Sequence, residues 1–120
     1  MSRSPTLVTA NAVAAATMKS VNTDLAHRIL DAVCQIPVGR VATYGDVAAA
    51  AGGNSPRFAG WVLSNLADDD LPWHRVLPVN GRPVPRLAAN QLRLLAAEGV
   101  LAMDGRVPMG RYRIGADGRL

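Results

Sequence analysis

Apolar positions first fall into a helical rhythm at Leu25, Ile29, Leu30, Val33 and Ile36, which share one face of a helix. Thr23 is a good N-cap for it, and Pro37 stops it because the residue before a proline is pushed out of helical backbone. After the short link Val38-Gly39-Arg40-Val41, Thr43 with Asp46 three residues on has the form of a capping box in which Asp stands in for Glu. A short helix through Val47 and Ala50 follows, ending at Gly52-Gly53. Asn54 or Ser55 caps the next helix, with Pro56 tolerated in its first turn and Ala59, Val62, Leu63 and Leu66 on its buried side. Two short helices across a glycine turn read as a helix-turn-helix, closed by the acidic run Asp68-Asp69-Asp70. Beyond it, Val79-Asn80-Gly81-Arg82 carries an Asn-Gly hairpin signal and Leu87 to Glu98 predicts a final helix. Asp104-Gly105 and Arg111-Tyr112-Arg113-Ile114 suggest a small β-hairpin or wing. The expected fold is therefore mainly α, a winged helix-turn-helix domain over residues 23–120 with small β-hairpin elements. Residues 1–22, alanine-rich and aperiodic, are expected to be a disordered tail.

Composition narrows this only in part. With 120 residues, 49% of them apolar, the chain can bury one core without covalent staples. Its net charge of +4 favours a polyanionic partner. Residues 71–120 hold 8 Arg against 3 acids, whereas residues 1–70 are nearly balanced, so the positive field belongs to the second half. Arginine dominates the cations, which suits phosphate contacts, although a genome rich in G and C gives the same bias. Cys34 is the only cysteine, so no intramolecular disulfide can form and a reducing cytoplasm is the simpler compartment. Four positions after Leu30, it is expected to be buried and unreactive. The weakly apolar stretch from Leu7 to Met18 is too polar for a signal core, and no run approaches the ~18 to 20 apolar residues of a membrane span, so a soluble protein is expected. No CxxC, HExxH, GxGxxG or phosphate-loop pattern occurs, and neither metal nor cofactor is expected.

The most specific block is Pro72-Trp73-His74-Arg75-Val76. With Ile36-Pro37-Val38-Gly39-Arg40-Val41, Thr43-Tyr44-Gly45-Asp46-Val47-Ala48, Arg57-Phe58-Ala59-Gly60 and Glu98-Gly99 in the same order, it makes residues 23–99 resemble the DNA-binding domain of the O6-alkylguanine-DNA alkyltransferases. Within that superfamily the chain resembles the alkyltransferase-like proteins, in which tryptophan stands where the acceptor cysteine would be.

The resemblance implies a role for each matching residue. Alkyl transfer needs a thiolate of lowered pKa beside a histidine. Trp73, at that position, has an indole nitrogen that is a donor only, and it can line a pocket without accepting an alkyl group. His74 and Glu98 match the family's His–Glu pair, which without a thiol retains only a shaping role. Arg57 matches the arginine finger that fills the gap left by an extruded base, and Tyr44 the tyrosine that helps rotate the nucleotide outward. Asn65 matches the asparagine that braces the active-site turn. Phe58, Ala59 and Gly60 continue a recognition helix that enters the minor groove, where poor base discrimination suits a damage scanner. The lesion pocket would comprise Trp73, His74, Arg75, Glu98 and Asn65. At Val84 to Asn90 the sequence departs from the family, with Pro83-Val84-Pro85-Arg86 where active members have a Tyr-Ser loop. Pro56 also replaces the usual alanine before the finger.

Taken together, the expectation is non-enzymatic recognition of O6-alkylguanine in duplex DNA by a monomer that flips the lesion and marks it for nucleotide excision repair proteins. A winged helix-turn-helix transcription regulator is the alternative, but it leaves the Pro-Trp-His-Arg-Val block unexplained. A residual alkyltransferase would need an accessible Cys34, and a hydrolase using His74 with Asp68, Asp69 or Asp70 lacks a motif-placed nucleophile.

Overall fold

In the protein's structure, a computed structural model, residues 23–115 are described, so the tail expected over 1–22 and the last five residues lie outside it. Residues 23–34 form helix α1, whose buried stripe is Ala26, Ile29 and Val33 and continues to Ile36 beyond its end. Leu30 lies at the edge of that stripe and Cys34 beyond it, so the thiol is exposed, not buried as expected. The reason is angular: at ~100° per residue Cys34 stands roughly a third of a turn past Leu30's neighbours in the core.

Strand β1 (Ala42–Thr43) leads directly into α2 (Tyr44–Ala50). The capping box forms as the sequence suggests: the Thr43 hydroxyl accepts from the Asp46 N–H at 2.9 Å, and the Asp46 carboxylate accepts from the Thr43 N–H at 3.0 Å. After a glycine turn, Ser55 caps α3 (Pro56–Leu66) by accepting from the Phe58 N–H, with Pro56 at the first position, where its missing donor costs nothing. A single 3₁₀ turn (Trp73–Arg75) then delivers the chain into β2 (Val76–Leu77). β2 pairs in parallel with β1, Ala42 opposite Val76 and Thr43 opposite Leu77. A second 3₁₀ turn (Pro85–Leu87) opens α4 (Ala88–Ala97), and α5 (Met109–Tyr112) is a last short helix.

This two-strand sheet divides two cores. Ala42 and Val76 face the core of α1, α2 and α3, which holds Ile29, Val33, Val47, Ala59 and Val62. Val41 and Leu77 face the other, with Leu95, Val100 and Val107. The alternation of a strand's side chains thus sends neighbouring residues to opposite layers.

The mainly helical class stands; of the expected hairpins, the one at Asp104-Gly105 forms, reduced to a single bridge, and the one at Asn80-Gly81 does not. Asn80-Gly81 does turn, with the Gly81 N–H donating to the Pro78 carbonyl at 2.9 Å and the Asn80 side chain accepting from the Arg82 N–H. No returning strand follows, because Pro83 and Pro85 supply no N–H to a ladder. The Gly81 carbonyl instead accepts from Val107. In the tail, Met103 and Arg106 make one antiparallel bridge around Asp104-Gly105, both at positive φ. Residues 111–114 form the end of α5 and a parallel bridge from Arg113 to Val41, not a wing strand. Among the described residues, no helix is long and apolar enough to cross a membrane.

Candidate nucleic-acid interface

Because α2 and α3 are packed as a helix-turn-helix, the start of one and the outer face of the other bound a common cleft. Arg57 lies in the first turn of α3, and Gly60 and Ser64 follow it at helical spacing. Together with Tyr44 at the first position of α2, they line a cleft of ≈ 720 Å³, closed opposite by Pro78, Val79, Val84, Arg86 and Leu87. A smaller cavity of ≈ 250 Å³ shares Tyr44, Gly60, Ser64, Arg86 and Leu87, and Trp73 joins its lining together with Asp68 and Asp69. Arg57 is exposed and no carboxylate pairs with it among the described residues. Burial raises the Tyr44 phenol above its ordinary pKa, against the pull of the nearby Arg86 cation, and keeps it neutral, able to donate or accept at physiological pH.

Behind Trp73 sits a charged clamp. His74 Nε2 lies 2.9 Å from Glu98 Oε2, and Arg75 forks onto both oxygens of the same carboxylate at 2.9 and 2.7 Å. Arg75 also donates to the Ile36 carbonyl at 2.8 Å, tying the turn to the end of α1. Hydrogen bonding from Arg75 above all, supported by His74 and opposed by burial, holds the Glu98 carboxyl at about 2. The indole of Trp73 stands edge-on to the His74 ring.

The expected site residues are thus sorted into distinct places. Tyr44, Arg57 and Gly60 line the cleft and Trp73 lines the cavity that opens from it. His74, Arg75 and Glu98 do come together, but as a brace outside the residues that line either cavity. Arg75 ties the turn to Glu98 and Ile36, outside the residues that line the cleft and the cavity. Ala59 is 0% exposed and belongs to the core, so it cannot meet a groove floor; the periodicity that places Val62 inside places Ala59 there too. Phe58 is half-buried against that core and stacks on Trp61, with ring centroids 6.1 Å apart, and is no free contact. Asn65 is exposed and its amide donates back to the Trp61 carbonyl at 2.9 Å, within its own helix.

Three contributors escaped sequence reasoning. Gln91, 2% exposed, donates from Nε2 to the carbonyls of both His74 and Val76 at 2.9 Å each, the bracing expected of Asn65. Its only signal was a polar residue on the buried side of a helix. Arg86, in the segment that departs from the family, lines both cavities. Arg113 forks onto Asp46 at 2.9 and 2.8 Å across the edge of the cleft. Burial would raise the Asp46 carboxyl, but hydrogen bonds from Arg113 and Thr43 outweigh it and hold the group below its ordinary value. Among the described residues, no group of three His, Cys, Asp or Glu side chains is placed to hold a metal ion.

Comparison with known proteins bears on this geometry. The family model described as 6-O-methylguanine DNA methyltransferase, DNA binding domain, matches residues 24–100. A DNA base-flipping protein of Escherichia coli (strain K12) is 41% identical over 94 residues, 72% of this chain and 71% of that protein. Alkyltransferase-like protein 1 of Schizosaccharomyces pombe is 33% identical over 93 residues, 72% of this chain and 84% of that one. The crystal structure of S. pombe Atl1 in complex with damaged DNA containing O6-carboxymethylguanine superposes with a TM-score of 0.62 at 28% identity, over 80% of this chain and 94% of that one.

Proposed function

The chain belongs to the family of the 6-O-methylguanine DNA methyltransferase DNA-binding domain, and from that premise we propose that it recognises O6-alkylguanine in duplex DNA without repairing it. The observation that carries this reading is Trp73 in the lining of a cavity that shares Tyr44, Gly60, Ser64, Arg86 and Leu87 with the Arg57–Tyr44 cleft. By its resemblance to the family, this is where an acceptor cysteine would present its sulfur. An indole supplies an aromatic face for a flipped base and one N–H donor, but no nucleophile.

The cleft supports the physical steps in order. Arg57, exposed at the start of α3, is free to enter a duplex and replace the stacking that an extruded base gives up. O6-alkylation weakens guanine pairing, so extrusion, which costs a few kcal/mol, is cheaper at a lesion than elsewhere. The neutral Tyr44 hydroxyl stands at the junction of cleft and cavity, where the rotating nucleotide would pass. Arg86 sets a positive charge beside the same junction, in a cavity that Asp68 and Asp69 also line. The His74–Glu98–Arg75 clamp keeps the turn bearing Trp73 in place and, with tryptophan at that position, has no thiol to activate. Handing the marked site to nucleotide excision repair proteins is part of the proposal, and rests on the family resemblance alone.

Fluorescence anisotropy of a short duplex with one O6-methylguanine, against its unmodified twin at fixed salt, tests the reading when followed by mass spectrometry of the protein. Tighter binding to the lesion with no mass gain is expected. Equal affinities would favour a transcription regulator instead. A gain of one methyl would establish transfer, with the exposed Cys34 as the first acceptor to examine.

A further inference from the structure

α4 and the residue that ends it, Glu98, hold the turn at Trp73 from two points. Gln91 and Glu98 are two helical turns apart and project in nearly the same direction, about 10 Å from each other along the axis. Glu98 restrains the side chains of His74 and Arg75, while Gln91 restrains the backbone on either side of Arg75 by donating to the carbonyls of His74 and Val76. Among the described residues, the Trp73 backbone is hydrogen-bonded to near neighbours: its N–H donates to the Leu71 carbonyl at 2.7 Å and its carbonyl accepts from the Val76 N–H. A 3₁₀ turn of three residues has poor hydrogen-bond geometry of its own and takes its conformation from what surrounds it. The one amide whose two N–H groups span this turn is buried, so water cannot replace it.

We propose that Gln91 is a positioning residue for lesion recognition: its amide fixes the Trp73–Arg75 turn so that the Trp73 ring faces the cavity rather than the loop before it. This rests on the reading that Trp73 bears on the lesion. Gln91 is buried and is not among the residues lining the cleft around Arg57 or the cavity at Trp73. Loss of the amide therefore lowers the preference for damaged over undamaged duplex while leaving affinity for undamaged duplex in place.

The test compares Gln91→Met, similar in volume but without a donor, and Gln91→Asn, a milder change that keeps the amide but draws it back from both carbonyls. Each is assayed for the ratio of affinities for duplexes with and without one O6-methylguanine. Tryptophan emission is recorded in a Trp61→Phe background, where Trp73 is the sole indole. The expected result is a loss of about tenfold in the ratio for Gln91→Met, a smaller loss for Gln91→Asn, and a shift of Trp73 emission in both. Should Gln91→Met not fold, Gln91→Asn decides alone. A ratio equal to that of the unsubstituted chain, or equal weakening on both duplexes, would overturn the proposal and leave Gln91 a purely structural residue. If the unsubstituted chain itself shows no preference for the lesion, it is the reading of Trp73 that fails, not the role of Gln91 in holding the turn.

Discussion

A carboxyl held at about 2, as Glu98 is, ties the site to pH through one side chain. Its folded value lies below the ordinary 4.5, so the carboxylate stabilises the fold at any pH above that ordinary value. That contribution declines as pH falls from about 5 and is gone near 2, where the folded form protonates as well. Thermal melts should show the gap between the unsubstituted chain and Glu98→Gln widest at neutral pH and closing through this window, and a gap that ignores pH would mean the clamp is not ionic. Arg57 calls for the opposite kind of measurement. It is exposed and unpaired among the described residues, so Arg57→Ala should leave melting nearly unchanged. If it fills the place of an extruded base, the substitution costs about 1–2 kcal/mol on lesion duplex and clearly less on undamaged duplex. Equal losses on both would reduce Arg57 to a phosphate contact.

Elements were readable where their signals are local. Ser55 and Pro56 at the start of α3, and Thr43 with Asp46 at the start of α2, lie within four residues of their partners, and both caps form. Ser55→Ala should cost about 1 kcal/mol in urea denaturation, and Ser55→Gly only a few tenths, because glycine leaves the end of the helix open to water. Equal costs would argue against the hydroxyl bond to Phe58. Signals failed where distant parts of the chain decide. The two-residue strands are too short to show alternation and find each other across more than thirty residues. The Asn80-Gly81 turn was legible, but the prolines after it deny it a partner strand, and its carbonyl is taken by Val107 instead. The Gln91 and Arg113 contacts, over 15 and 67 residues, left no pattern to find. His74 and Glu98, 24 apart, were paired only through the family resemblance. Cys34 and Ala59 show the converse: helical angle alone, carried through carefully, puts the first outside and the second in the core.

At the scale of the molecule, the charge asymmetry read from composition meets the site built from both halves. The first half supplies Tyr44, Arg57 and Gly60, and the second folds back through β2 to bring Arg86 and Arg113 to the same cleft. Of these cations, Arg113 is engaged by Asp46, whereas Arg57 and Arg86 form no ion pair among the described residues. Two contributions to binding separate here. Attraction between a chain of net charge +4 and a polyanion acts through released counterions, and each phosphate neutralised adds about 0.9 to the slope of log affinity against log salt. An alkyl group on guanine is neutral, so the number of phosphates contacted is the same with and without it. On the proposed reading, discrimination comes from extrusion and from short contacts at Tyr44, Arg57 and Trp73, none of which would release ions in proportion to the lesion. Affinities measured over a range of salt should therefore fall along two parallel lines, the lesion duplex displaced above its unmodified twin by a constant factor. A steeper line for the lesion would show that flipping recruits further phosphate contacts, drawing the chain into a larger interface than this cleft. Lines that merge at high salt would make the preference electrostatic and remove Trp73 from its cause.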